Sequence, residues 1–127
     1  YEGKAQAAIQ ALREKDFVFL HVEASDEAGH EGNVALKIKT IENLDARIVK
    51  PIFEEISIWN ELVTIAVLPD HPTPCAIRTH TSDAVPFVIY RKGISPDGVK
   101  VYDEFAAREG FYGLLKGDDF MKKLIDP

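Results

Sequence analysis

The sequence predicts an α/β fold: a three-layer sandwich with a mostly parallel sheet, one antiparallel strand, and helices on both faces. Three observations predict it. A helix-period segment carrying Ala5, Ala8, Ile9 and Leu12 runs directly into the continuous apolar run FVFLHV. Runs of this kind, with aromatic and β-branched members, read as strands buried on both faces and therefore parallel. The order then repeats, a long amphipathic stretch preceding a second apolar run, ELVTIAVL. A third strand-like run, PFVIYRK, follows through a connection that holds Pro72 and Pro74 and no helical periodicity. Parallel pairing needs a crossover of about a dozen residues or more, usually helical, so this strand returns antiparallel to the second.

Each element has a local reason. Alanine and other good helix formers fill the first segment, which predicts a helix from Glu2 to Lys15 with a narrow apolar stripe. Asp16 leads into the strand Phe17–Val22, and the polar, glycine-containing stretch Glu23–Gly32 reads as a loop at its carboxyl end. Asn33 is a helix cap, after which Val34, Ile38, Ile41, Leu44, Ile48 and Ile52 keep the period of an amphipathic helix. Pro51 lacks a backbone donor and clashes with the preceding turn, so it starts a new segment or kinks this one. Pro69 ends the second strand just before Asp70 and His71. GISPDG is a turn-rich loop, and Asp118–Ile125 is a short helix with Phe120, Leu124 and Ile125 on its apolar side.

Composition narrows the function classes. The 127 residues carry enough Leu, Ile, Val and Phe for a real core. A net charge of -6 argues against a general nucleic-acid binder, which needs a basic face to neutralise phosphates. No apolar run approaches the ~18 residues of a membrane span, and no signal peptide is visible. The single cysteine, Cys75, makes no internal disulfide, and a reducing, cytoplasmic compartment is the default. The chain begins at Tyr1 without a methionine, with residues that already read as the body of a helix, and the expectation is a truncated start.

The chemistry concentrates in two segments. PDHPTPCAIRTHT holds Asp70, His71 and His80, while SDEAGHEG holds Asp26 and His30. In open α/β sheets ligands bind outside the carboxyl ends of the strands, and the predicted topology puts all five residues at that edge, with His80 beside Asp70 and His71. Mixed imidazole and carboxylate donors suit zinc, manganese, iron or cobalt, whereas calcium favours oxygen alone. Five donors exceed the needs of one open tetrahedral centre and suggest two metals, the arrangement that clamps attacking and leaving oxygens in phosphoryl transfer. Arg78 is a candidate for binding phosphate oxygens through its planar fork. His21, within the apolar strand, reads as a satisfied core histidine or, alternatively, as a contact to substrate or to metal-bound groups. Cys75 reads as a small buried thiol rather than a nucleophile. A lone Asp-x-x-x-His pair is common by chance, and the weight rests on the joint occurrence.

FLHVEASDEAGHEG, LPDHPTPCAIRTHT and VPFVIY resemble the C-terminal portion of the archaeal-type cofactor-independent phosphoglycerate mutases, in the alkaline phosphatase superfamily. The resemblance covers most of the chain in order, with only the region after Arg91 weakly diagnostic. It implies that residues 1–127 are the C-terminal part of a metal-binding catalytic domain in a three-layer sandwich. It also implies interconversion of 3-phosphoglycerate and 2-phosphoglycerate through a phosphoserine enzyme, a step of glycolysis. Asp26, His30 and His80 look like ligands of one divalent ion and Asp70 and His71 like ligands of another, manganese being the usual ion and magnesium, zinc or cobalt substitutes. The nucleophilic serine comes in the family from nearer the N-terminus, and Ser25, Ser57, Ser82 and Ser95 do not match its motif.

The implied partner is a small phosphorylated substrate, with neither nucleic acid nor membrane. Unpaired sheet edges predict self-association of the fragment. Two alternatives stand beside this reading. One is a related enzyme on another phosphorylated small molecule, such as those labelled proposed homoserine kinases or phosphonopyruvate decarboxylases. The other is a metal-binding domain without catalysis.

Overall fold

The computed structural model describes residues 1–125, which divide into two compact units, Tyr1–Glu61 with Thr73–Thr81, and Leu62–Pro72 with the segment from Ser82 onward. The first unit is helical. Helix α1 spans Glu2–Leu12 and buries Ala5, Ala8 and Ile9, the stripe its spacing predicts. It stops three residues short of Lys15, in a turn over Arg13 and Glu14. Arg47 clamps Glu2 through two hydrogen bonds of 2.5 and 2.8 Å and stacks on the Tyr1 ring. That guanidinium, by hydrogen bonding, holds the Glu2 carboxyl down at about 2. At the far end Arg13 donates to Glu55 at 2.6 Å and lies over Trp59, whose indole N–H also reaches Glu55.

Helix α2, Ala24–Glu31, occupies the stretch read from sequence as a loop. The physical reason lies in its ends. Asp26 and Glu27 stand in the first turn and His30 in the last, each on the favourable side of the helix dipole. Gly32, at φ 69°, supplies the left-handed residue that terminates it. Its N–H returns to Gly29 O, and that of Asn33 to Ala28 O, the two bonds of a Schellman motif. Asn33 then opens α3, Val34–Leu44, by accepting the Leu36 N–H at 3.0 Å. The predicted break at Pro51 takes a specific form. Five residues of π-helix, Asp45–Val49, intervene before α4, Lys50–Ser57, whose first turn contains the proline. The wider π turn removes the i to i−4 bond that Pro51 cannot make.

Phe17–Val22 corrects an expectation. It forms no ladder among the described residues, and Phe17 and Phe19 are 55% and 76% exposed rather than buried on both faces. A strand exists only with a partner, and nothing in this unit offers one. His21 is accordingly exposed and not a core histidine; its ring lies 6.1 Å from that of Phe19, and its carbonyl accepts from Lys4 at 2.9 Å.

In the second unit β1, Thr64–Val67, pairs with β2, Val88–Arg91, in the antiparallel sense that the connection predicts. The register sets Thr64 opposite Arg91 and Val67 opposite Val88. A short 3-10 turn, Ala106–Glu109, and helix α5, Asp119–Ile125, complete it. Phe87 meets Phe120 edge-on at 5.4 Å and Tyr112 at 5.8 Å. Arg91 donates to Tyr112 Oη at 3.0 Å and to the carbonyls of Lys123 and Leu124, satisfying the last turn of α5.

The Tyr102 hydroxyl lies 3.1 Å from Pro86 O and 3.3 Å from Val67 O. Tyr102 is 49% exposed, but desolvation of its phenol, with a smaller contribution from Glu104, pushes it up to about 12. A raised phenol contributes stability that is complete below the ordinary value near 10 and is lost as pH climbs through the folded value. Unfolding followed against pH therefore shows a loss between about 10 and 12 that the Y102F variant lacks.

Candidate metal centre

The site is built on α2 and on the turn that follows Pro72. Asp26 and His30 are one helical turn apart, so their side chains project from the same face of α2. His80 arrives from fifty residues later. Its Nε2 lies 3.1 Å from His30 Nε2 and 3.3 Å from Asp26 Oδ1, while His30 Nε2 lies 3.4 Å from Asp26 Oδ2. One ligand atom from each of the three falls within 4.8 Å of the others. The two imidazole rings are 4.9 Å apart and inclined at 53°. All three side chains retain solvent access, at 33% for Asp26, 43% for His30 and 49% for His80.

The turn that brings His80 in is fixed by its backbone. Pro74 O accepts the N–H groups of Ile77 and Arg78. Arg78 is the one non-glycine residue with positive φ among the described residues, at 59°. Its left-handed backbone accompanies a bond to the site: its carbonyl accepts from His30 Nδ1 at 3.0 Å. A carbonyl can only accept, so Nδ1 carries a proton; in the neutral ring this leaves the lone pair on Nε2, the atom that faces Asp26 and His80. The Arg78 side chain packs over Gly32, where an added Cβ would come within 2.4 Å of Nε.

The donor set fits a divalent ion. One carboxylate and two imidazoles, with an Nε2 lone pair presented and its partner nitrogen tied to a carbonyl, are the features of a transition-metal site. Asp70 and His71 lie in the second unit, adjacent in sequence, with His71 Nε2 3.4 Å from Asp70 Oδ2 and the His71 N–H donating to Asp70 Oδ1. Cys75 is half-buried with its thiol 4.0 Å from Ala28 O.

Thr73 is a site residue that the sequence reading passed over. It is 4% exposed and its hydroxyl donates to Asp26 Oδ1 at 2.5 Å. Its place in DHPTP, two residues after a ligand candidate, was visible in the sequence, but its burial and its bond to Asp26 were not.

A family model described as Metalloenzyme superfamily matches residues 1–126. The chain belongs to the Metalloenzyme superfamily. Within it, the chain is 52% identical to the 2,3-bisphosphoglycerate-independent phosphoglycerate mutase of Methanosarcina acetivorans, over 98% of its own residues and 32% of that protein. It is 45% identical to 2,3-bisphosphoglycerate-independent phosphoglycerate mutase 2 of Methanothermobacter thermautotrophicus, over its whole length and 31% of the relative. A solved protein from Pyrococcus horikoshii superposes with a TM-score of 0.90 at 35% identity, over 98% of this chain and 37% of the other. This metalloenzyme chain thus spans about a third of the length of the curated relatives it matches. Among its described residues no helix is long and apolar enough to cross a membrane.

Proposed function

We propose that this chain is the metal-binding, C-terminal part of a cytoplasmic phosphotransferase that interconverts 3-phosphoglycerate and 2-phosphoglycerate through a phosphoserine. The convergence of Asp26, His30 and His80 carries the reading. The phosphoglycerate mutases that are 45–52% identical support the choice of substrate. In this reading Asp26, His30 and His80 hold one divalent ion, and Asp70 and His71 contribute to a second, manganese being the preferred ion. Bound ions of this kind lower the pKa of an attacking hydroxyl and neutralise phosphoryl oxygens.

The chain's own residues prepare the site. Arg78 O accepts from His30 Nδ1 on the side away from the ligand face, and the Asp26 carboxylate oxygens face both imidazoles. Arg78 and His21 are the candidates for contact with the phosphorylated substrate. None of the chain's serines matches a nucleophile motif, so the reading assigns the phosphoserine to a residue beyond these. Self-association through the exposed Phe17–Val22 segment belongs to the same reading.

Two assays with enolase-coupled detection of 2-phosphoglycerate test it. A polypeptide of these 127 residues gives no turnover of 3-phosphoglycerate with MnCl2. The polypeptide carrying them together with a nucleophilic serine gives turnover that EDTA abolishes and MnCl2 restores. Turnover by the 127-residue polypeptide alone, metal-independent turnover, or a serine-carrying polypeptide that binds metal and turns over no phosphorylated glycerate, sinks the proposal.

A further inference from the structure

Thr73 is constrained from three directions at once. Its hydroxyl donates to Asp26 Oδ1 at 2.5 Å, and its carbonyl accepts from Lys37 Nζ at 2.5 Å. Its methyl and carbonyl press on Gly29, where a Cβ would lie 2.4 Å from Thr73 O and 2.9 Å from Cγ2. Only 4% of the residue is exposed, so the hydroxyl is largely shielded from water and its partner is built in. A β-branched side chain has few staggered choices, and with the methyl seated against Gly29 the hydroxyl points at the carboxylate.

We propose that Thr73 is a positioning residue for Asp26: its hydroxyl fixes the rotation of the carboxylate so that Oδ1 and Oδ2 face His80 and His30. Asp26 is the one carboxylate of the triad, and its side chain is one-third exposed. Without the hydroxyl the carboxylate loses this built-in donor, and its rotation is less tightly fixed before an ion binds. Groups in this outer position typically change metal affinity by about 10–100-fold. The inference rests on the metal-site reading above.

The test is titration of the purified protein with MnCl2, followed by calorimetry, beside thermal unfolding of the metal-free forms. T73V keeps the shape and removes the hydroxyl; T73A removes both hydroxyl and methyl; T73S keeps the hydroxyl alone. The expected result is Mn2+ affinity lowered about 10–100-fold in whichever of T73V and T73A folds, and restored to within about threefold in T73S. A folded T73V or T73A that binds Mn2+ as the native protein does overturns the positioning role while leaving the metal site standing. T73S as weak as T73A overturns it too, because the methyl packing would then be responsible. A native protein that takes up no Mn2+ overturns the metal-site reading and this inference with it.

Discussion

His80→Ala separates metal affinity from folding stability. The side chain is 49% exposed, and its contacts to Asp26 and His30 are between partly exposed groups, so the metal-free variant unfolds within about 0.5 kcal/mol of the native protein. Its metal affinity falls by more than about 100-fold, beyond what loss of an outer-sphere partner brings. Linkage makes the two effects visible in one experiment. An ion at a hundred times its dissociation constant stabilises the folded state by about 2.7 kcal/mol. At the same concentration a 100-fold weaker site gives only about 0.4 kcal/mol. Thermal unfolding with and without MnCl2 reads both numbers. Equal MnCl2 protection of the native protein and of H80A would remove His80 from the ligand set.

Gly29→Ala has the next largest effect, and two forces of opposite sign decide it. Alanine in a helix is favoured over glycine by about 1 kcal/mol. Against that, the new methyl would sit 2.4 Å from the carbonyl oxygen of Thr73, a backbone atom itself held by Lys37. Overpacking of this kind costs about 1–3 kcal/mol, and the clash wins. The variant is expected to lose up to about 2 kcal/mol in chemical denaturation and to bind Mn2+ more weakly, since Thr73 retreats from Asp26. Gly3 in α1 is the control, with nothing within 4 Å of its added Cβ. Gly3→Ala therefore stabilises, by about 0.5–1 kcal/mol. A stabilised G29A would show that the Thr73 turn yields freely.

Local signals made much of this fold legible. The apolar period gave α1, the side chain of Asn33 marked the start of α3, and the missing donor of Pro51 marked the break before α4. Prolines 72 and 74 excluded a crossover helix, and the antiparallel pairing of β1 with β2 follows. Helix α2 was missed because its eight residues are too polar to show an apolar stripe. The Asp26 and His30 spacing and the glycine after Glu31 were the signals that speak for a helix there. Phe17–Val22 misled for the opposite reason. Its composition is that of a buried strand, but composition specifies a preference and a ladder needs a second chain segment. The triad of Asp26, His30 and His80 was readable as a set of ligand types. The contributions of Thr73 and of the Arg78 carbonyl were not, because a buried hydroxyl and a left-handed backbone have no periodic signature.

The triad closes a loop of fifty residues between His30 and His80. Bringing the ends of so long a segment together carries an entropic cost, which grows slowly with length and is met only when the intervening chain has folded. The three donors do not converge in the unfolded chain, so on the proposed reading ion capture and folding of this unit form a single coupled equilibrium. Divalent ion concentration then acts as a thermodynamic variable on the polypeptide itself: it sets the population of folded chains as well as the occupancy of the site.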